Sequence, residues 1–201
     1  MNRKIIGITG GLGTGKSAVS DYLQKQYNLV VLDADLYARE ATEKDSDILD
    51  KIINRYGQDI LLESGQLDRS KLANIIFNQI QERQWLEHLI HPYVKKRFTQ
   101  DLQSSSEGII IFVVPLLFEA QMQDMVDEIW LVTCSYEQQI QRVSKRNNLS
   151  QQQAMQRINT QWDLDTKKNL ADIVINNTKN LDYLYEQINK AIEQSEIYKF
   201  L

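Results

Sequence analysis

Gly7-Ile-Thr-Gly-Gly-Leu-Gly-Thr-Gly-Lys-Ser-Ala-Val-Ser-Asp-Tyr-Leu23 contains five of the chain's eight glycines, all between Gly7 and Gly15. Glycine is costly in conformational entropy, so a cluster this dense requires a backbone reason. Gly10, Gly15, Lys16 and Ser17 fill every fixed position of the pattern G-x-x-x-x-G-K-S, the signature of a phosphate-binding loop. The flanks agree with it. Lys4–Thr9 is short, apolar and β-branched, as a buried strand is, and Val19, Leu23 and Tyr27 then recur at helical spacing. A chance glycine turn would not combine that pattern with that context. The expectation is a loop whose backbone N–H groups turn into one concavity, with glycines where side chains would block a polyphosphate and a helix N-terminus behind it. Gly11, Leu12, Gly13, Thr14, Gly15, Lys16 and Ser17 would form the cradle. Lys16 would reach the β- and γ-phosphates and Ser17 would bind the metal, so ATP with Mg²⁺ is the expected ligand.

Outward from this loop, Leu29–Asp35 reads as a second strand that runs into Asp33 and Asp35. Strand, loop, helix and strand open a parallel α/β sheet. Residues 43–106 read differently, as a run of helices without sheet-core character. Gly57 ends one of them, and Pro92 is expected to break another near His91. Ser104–Gly108 then returns the chain to the sheet. Ile109 begins a buried strand that Pro115 stops. Asp127–Cys134 and about Asp172–Asn176 supply two more. Ser135 and Ser150 are expected to cap the intervening helices, and Leu181–Gln194 closes the chain as an amphipathic helix. The expected fold is α/β: a five-stranded parallel sheet flanked by helices over 1–42 and 107–201, with a helical insertion over 43–106 and a helical lid over about 143–168.

Composition sets the outer limits. A chain of 201 residues buries enough surface to fold without disulfides, and Cys134, its one cysteine, could form none internally. A net charge of −4 argues against a nucleic-acid partner, which would favour a basic stripe. No apolar run reaches the ~18 residues of a membrane helix, and Met1–Lys4 is unlike the start of a signal peptide. A cytoplasmic protein is expected.

Several side chains beyond the loop could carry chemistry. Asp33 and Asp35 lie where open α/β sheets bind ligands, at a strand's carboxyl end. Either could take the proton of an acceptor hydroxyl, and either could instead cap the next helix. Arg142 and Arg146 share a helix face, as do Arg157 and Gln161. A solvated charged face would explain them, but beside a phosphate loop they suit a lid that closes on phosphate oxygens. His88 and His91 have no cysteine and only Glu87 as a close acid, so His91 reads as structural or as a substrate contact. Trp85, Trp130 and Trp162 read as core or interface residues. A guanine-reading N-K-x-D motif is missing from the sequence. A different small-molecule kinase, acting on a nucleoside monophosphate or on shikimate, is the alternative.

The motifs GITGGLGTGKS, LDADLYARE, GQLDRSKLANIIF, LIHPYV, VVPLLFE, QQIQRVSKRN and ADIVINN occur in an order that resembles the dephospho-CoA kinase family. The resemblance runs from about Lys4 to Asn177. It implies a P-loop kinase core, a helical CoA-binding insertion and a lid. The activity it implies is ATP-dependent phosphorylation of the ribose 3′-hydroxyl of dephospho-CoA, the last step of CoA synthesis; separately, a monomer is expected. It also implies Asp35 as the base, Asp33 as a supporting residue acting through metal-bound water, and an active-site role for Thr9. Arg142 matches the first lid arginine, and Arg39 and His91 fall in motifs of the acceptor side. The chain departs from the family at Val113, where many members carry an aspartate.

Overall fold

In the computed structural model, residues 3–105, 108–195 and 197 are described. Met1 and Asn2, and Ser106 and Glu107 of the expected return to the sheet, lie outside them. The chain begins β1 (Lys4–Gly10), α1 (Lys16–Tyr27) and β2 (Val30–Asp33). Four helices follow: α2 (Ala34–Glu40), α3 (Asp47–Tyr56), α4 (Arg69–Asn78) and α5 (Ile80–Ser104). It continues with β3 (Ile109–Val113), β4 (Glu128–Thr133), α6 (Tyr136–Asn147), α7 (Gln151–Ile158), α8 (Leu164–Lys168), β5 (Ile173–Asn176) and α9 (Leu181–Gln194). It divides into two compact units, 1–33 with 106–201, and 34–105.

The first unit is built on a parallel sheet of order β2-β3-β1-β4-β5. Its strands are near-continuous apolar runs because helices cover a parallel sheet on both faces; all five residues of β3 are buried. On one face Ile6, Ile8, Ile111 and Trp130 pack with Val19 and Leu23 of α1 and with Leu184 and Ile188 of α9. Burying a side chain of this size contributes about 1.5–3 kcal/mol. β1 lies in the middle of the sheet, and whatever follows its carboxyl end is held by a strand whose last five residues are buried.

The second strand is shorter than its sequence suggested. β2 ends at Asp33, opposite Val113, the last residue of β3. The β2–β3 register stops at that pair, while β3 goes on bonding β1 through the Val114 amide and the Ile8 carbonyl. Ala34 and Asp35 therefore belong to the first turn of α2, and the two aspartates occupy different elements.

In the 34–105 unit, Leu49, Ile52, Ile60, Leu67, Leu72 and Leu86 form a separate core. Gly57 ends α3 at a φ of +82°. α2 is strapped to α5 by polar contacts. Tyr37 donates to Asp101, while Glu40 accepts from Tyr93 and from Arg97. The break expected near His91 does not occur, since α5 runs unbroken for 25 residues with Pro92 inside it. A proline there removes one hydrogen bond and crowds the preceding turn, at about 3 kcal/mol. Burial of Leu86 before it and of Val94 and Phe98 after it offsets that cost.

Ser135 and Ser150 cap α6 and α7 as expected, each in a reciprocal capping box. Trp130 is fully buried, whereas Trp162 is 46 % exposed and stacks on Phe118. Among the described residues no helix is long and apolar enough to cross a membrane.

Candidate active site

The loop between β1 and α1 has the expected course, but its glycines answer mainly to the protein's own packing. A Cβ on Gly11 would lie 2.5 Å from Nε2 of Gln139, and one on Gly13 would lie 2.9 Å from the Gln139 carbonyl. α6 presses so closely on the loop that side chains do not fit between them. The obstruction expected from a bound polyphosphate is thus joined by one from inside the fold. Gly15 adds a conformational demand. Its φ is +99°, and an added Cβ would sit 2.1 Å from Nδ2 of Asn177. Gly15→Ala should therefore lower stability by about 1–3 kcal/mol, the cost of a strained left-handed residue. Denaturant unfolding measures it, and adding Asn177→Ala should not restore the loss, because the φ strain persists. An unchanged midpoint would contradict the conformation of Gly15.

Gly15 is also the N-cap of α1 and has no side chain with which to cap it. The first-turn N–H groups carry the positive end of the helix dipole, which suits an anion. Lys16 folds back so that Nζ donates to the Gly10 and Gly11 carbonyls, both at 3.0 Å. The ammonium thus lies against the loop. Ser17, on the first turn, is exposed.

α6 supports the loop from one side. Arg142 donates to the carbonyls of Gly13, Thr14 and Asn177 at 3.2, 3.4 and 3.0 Å. Carbonyls do not neutralise a guanidinium, so its positive charge stays beside the loop. Gln139 donates to the Leu12 carbonyl and Asn177 donates from Nδ2 to that of Thr14. Gln161, beyond α7, accepts from the Leu12 amide at 2.9 Å. Gly11, Gln139, Gln161 and Trp162 share the lining of a cleft of about 730 Å³ on this flank. Thr9 is fully buried, and its hydroxyl donates inward to the Pro115 carbonyl at 3.3 Å. Cys134 lies beside the loop, where burial pushes its thiol pKa up.

The hydrogen bonds therefore bring the loop, Lys16, Arg142 and Gln161 together within the sheet-bearing unit, and Thr9 precedes the loop in β1. Arg146 of α6 is exposed and donates to Asn147, and Arg157 sits in the last turn of α7. Asp35, Arg39 and His91 belong to the 34–105 unit. Asp35 and Arg39 lie one turn apart on α2, and Arg69 donates to the Arg39 carbonyl at 3.1 Å. Burial lowers the His91 pKa, with Lys95 and His88 adding to the effect, which favours a neutral ring.

Gln139 and Asn177 hold the loop but were not singled out from sequence. Gln139 is three residues before Arg142, hence on the same helix face, and that spacing was the available signal. Lys167 gave none. It stands in a polar five-residue helix yet is fully buried against Glu119.

For Mg²⁺, a hydroxyl on the first turn of α1 and a carboxylate at the strand end are oxygen donors of the right kind. Magnesium needs few of them, because it keeps several waters and takes phosphate oxygens as ligands. Among the described residues no cluster of three or more His, Cys, Asp or Glu could hold a metal by itself.

A loop that follows the central strand of a parallel sheet, with a helix N-terminus and the charges of Lys16 and Arg142 beside it, is the equipment of phosphoryl transfer. Fold and loop together define a P-loop kinase. A family model described as dephospho-CoA kinase matches residues 4–182. A dephospho-CoA kinase of Trichormus variabilis is 48 % identical over 192 residues, covering 96 % of this chain and 98 % of the relative. The chain belongs to the dephospho-CoA kinase family, and it is an ATP-dependent kinase, a transferase acting on an alcohol group. The crystal structure of TT1252 from Thermus thermophilus superposes with a TM-score of 0.81 at 29 % identity, covering 97 % of this chain and 98 % of that one. A shikimate kinase from Bacteroides thetaiotaomicron shares the fold alone, with a TM-score of 0.57 at 12 % identity over 96 % of this chain and 98 % of its own.

Proposed function

We propose that the chain transfers the γ-phosphoryl group of ATP to the ribose 3′-hydroxyl of dephospho-CoA, giving CoA and ADP. The N-terminus of α1 at Gly15, framed by Lys16 and Arg142, carries this reading. The loop amides bind the β- and γ-phosphates. The Lys16 ammonium moves from the Gly10 and Gly11 carbonyls to the phosphate oxygens and stabilises charge that develops during transfer. Arg142 braces the loop and contributes charge on the same side. Arg146, Arg157 and Gln161 belong to the lid that covers the phosphates. Mg²⁺ would be held by the Ser17 hydroxyl, the phosphates and an Asp33-side water, and would neutralise phosphate charge. Asp35 takes the proton of the 3′-hydroxyl as it attacks. Thr9 supports the site from within, through its bond to Pro115.

The helical unit, expected at 43–106, takes the acceptor, with Arg39 and His91 among its contacts; every nucleotide motif lies outside it. Hydrogen exchange should therefore slow in residues 43–105 when dephospho-CoA alone is added. Protection there by ATP alone, with none from dephospho-CoA, would overturn the assignment. The enzyme acts as a cytoplasmic monomer. A coupled ADP assay across dephospho-CoA, nucleoside monophosphates and shikimate tests the whole reading. Turnover should appear with dephospho-CoA alone among the three, and turnover confined to shikimate or a nucleoside monophosphate would replace the acceptor.

A further inference from the structure

The glutamate that closes the Pro115-Leu-Leu-Phe-Glu119 stretch has no part in the chemistry described above, yet it anchors a whole segment. One of its oxygens, Oε1, accepts from Nζ of Lys167 at 2.8 Å and from the backbone N–H of Trp162 at 3.0 Å. Lys167 is fully buried, and its ammonium also donates to the Pro115 carbonyl at 3.4 Å. That carbonyl is the acceptor of the Thr9 hydroxyl. The Trp162 ring stacks on Phe118, with the planes 3° apart. The adjoining residue, Gln161, holds the Leu12 amide of the phosphate loop. An unbroken path thus runs from Glu119 through residues 161–167 to the loop.

A buried ion pair is a poor device for stability, because desolvation consumes most of its Coulomb energy and a well-packed apolar pair does as well or better. The second oxygen of Glu119, Oε2, is buried without a hydrogen-bond partner among the described residues. The carboxylate therefore depends heavily on Lys167 for its compensation. What the pair supplies that an apolar contact would not is direction. One carboxylate oxygen fixes both ends of the Trp162–Lys167 stretch, leaving little freedom for the peptide that carries Gln161.

We infer that Glu119 and Lys167 are positioning residues for ATP. They hold the base of the lid segment so that Gln161 meets Leu12, and through Leu12 they set the shape of the phosphate cradle. This rests on the reading of the loop as the nucleotide site.

The test is the double variant Glu119→Leu with Lys167→Met, which removes both charges at nearly constant volume. KM for ATP should rise by about five- to tenfold, the worth of one lost hydrogen bond. KM for dephospho-CoA should stay unchanged and kcat should fall by less than about threefold. Hydrogen exchange at the Trp162 amide should accelerate in the same variant. Glu119→Gln with Lys167→Met keeps an acceptor for that amide and should recover part of both effects. Gln161→Ala cuts the last link, so it should raise KM for ATP while leaving the Trp162 amide protected. A folded Leu/Met variant with KM for ATP within twofold of the parent overturns the proposal. So does rapid exchange at Trp162 in the unaltered enzyme, a measurement that stands even if the variants fail to fold. Lys16→Ala in the same assay separates the two readings. If it leaves KM and kcat unaffected, the loop is not the nucleotide site. If it impairs turnover and the Leu/Met pair does not, the positioning role alone fails.

Discussion

Changing Asp35 to asparagine should lower kcat by about 10²–10⁴-fold, the usual contribution of a general base. Asparagine keeps the size and hydrogen-bonding shape of the side chain but does not accept the 3′-hydroxyl proton as a carboxylate does. Asp35 is exposed on the first turn of α2. That helix is fixed to α5 through Tyr37, Glu40, Tyr93, Arg97 and Asp101. The substitution should therefore leave the helix in place, and KM for ATP should hardly change. Asp33→Asn is expected to behave differently. Asp33 terminates β2 opposite Val113, in the unit that carries the phosphate loop. Its loss should raise the Mg²⁺ concentration required for half-maximal rate as well as slow turnover. Steady-state kinetics with Mg²⁺ titrated separately from ATP distinguishes the two. A complex with dephospho-CoA that placed Asp33 at the 3′-hydroxyl, with Asp35 turned away, would exchange the roles.

Lys16→Ala should reduce turnover by about 10²–10³-fold, as expected when one donor to a developing charge is removed. The argument is local. The Lys16 ammonium already lies at the loop, 3.0 Å from two of its carbonyls, so it reaches a bound phosphate with little rearrangement. Gly10 and Gly11 are buried, so leaving their carbonyls without this donor should lower stability by about 1–3 kcal/mol while the fold persists. Circular dichroism checks the fold and a coupled ADP assay checks the rate. Turnover near that of the parent in the folded variant would remove Lys16 from the reaction.

How much could be read in advance varied with the range of the interactions concerned. The glycine pattern, the strand before it and the helix behind it are local, and eight consecutive residues located the phosphate loop. The five strands were equally legible because a parallel sheet buries both faces, leaving apolar runs such as Ile109–Val113. Caps at Ser135 and Ser150 followed from chemistry within one turn.

Tertiary structure decided the rest. The end of β2 depended on where β3 stopped, a residue 80 positions away in the chain, so the two aspartates of Asp33-Ala-Asp35 were separated by a ladder that neither encodes. Pro92 is a local signal to stop a helix. It was overridden because Leu86, Val94 and Phe98 hold α5 by burial on both sides of it. Gln139 and Asn177 became supports of the loop through the folding of α6 and the end of β5 against it. Lys167 is the sharpest case. A lysine in a short polar helix reads as solvated, and the Glu119 carboxylate, with the Pro115 carbonyl, makes its burial tolerable. A sequence specifies which side chains can bond; the meeting of two that are 48 residues apart is settled by packing.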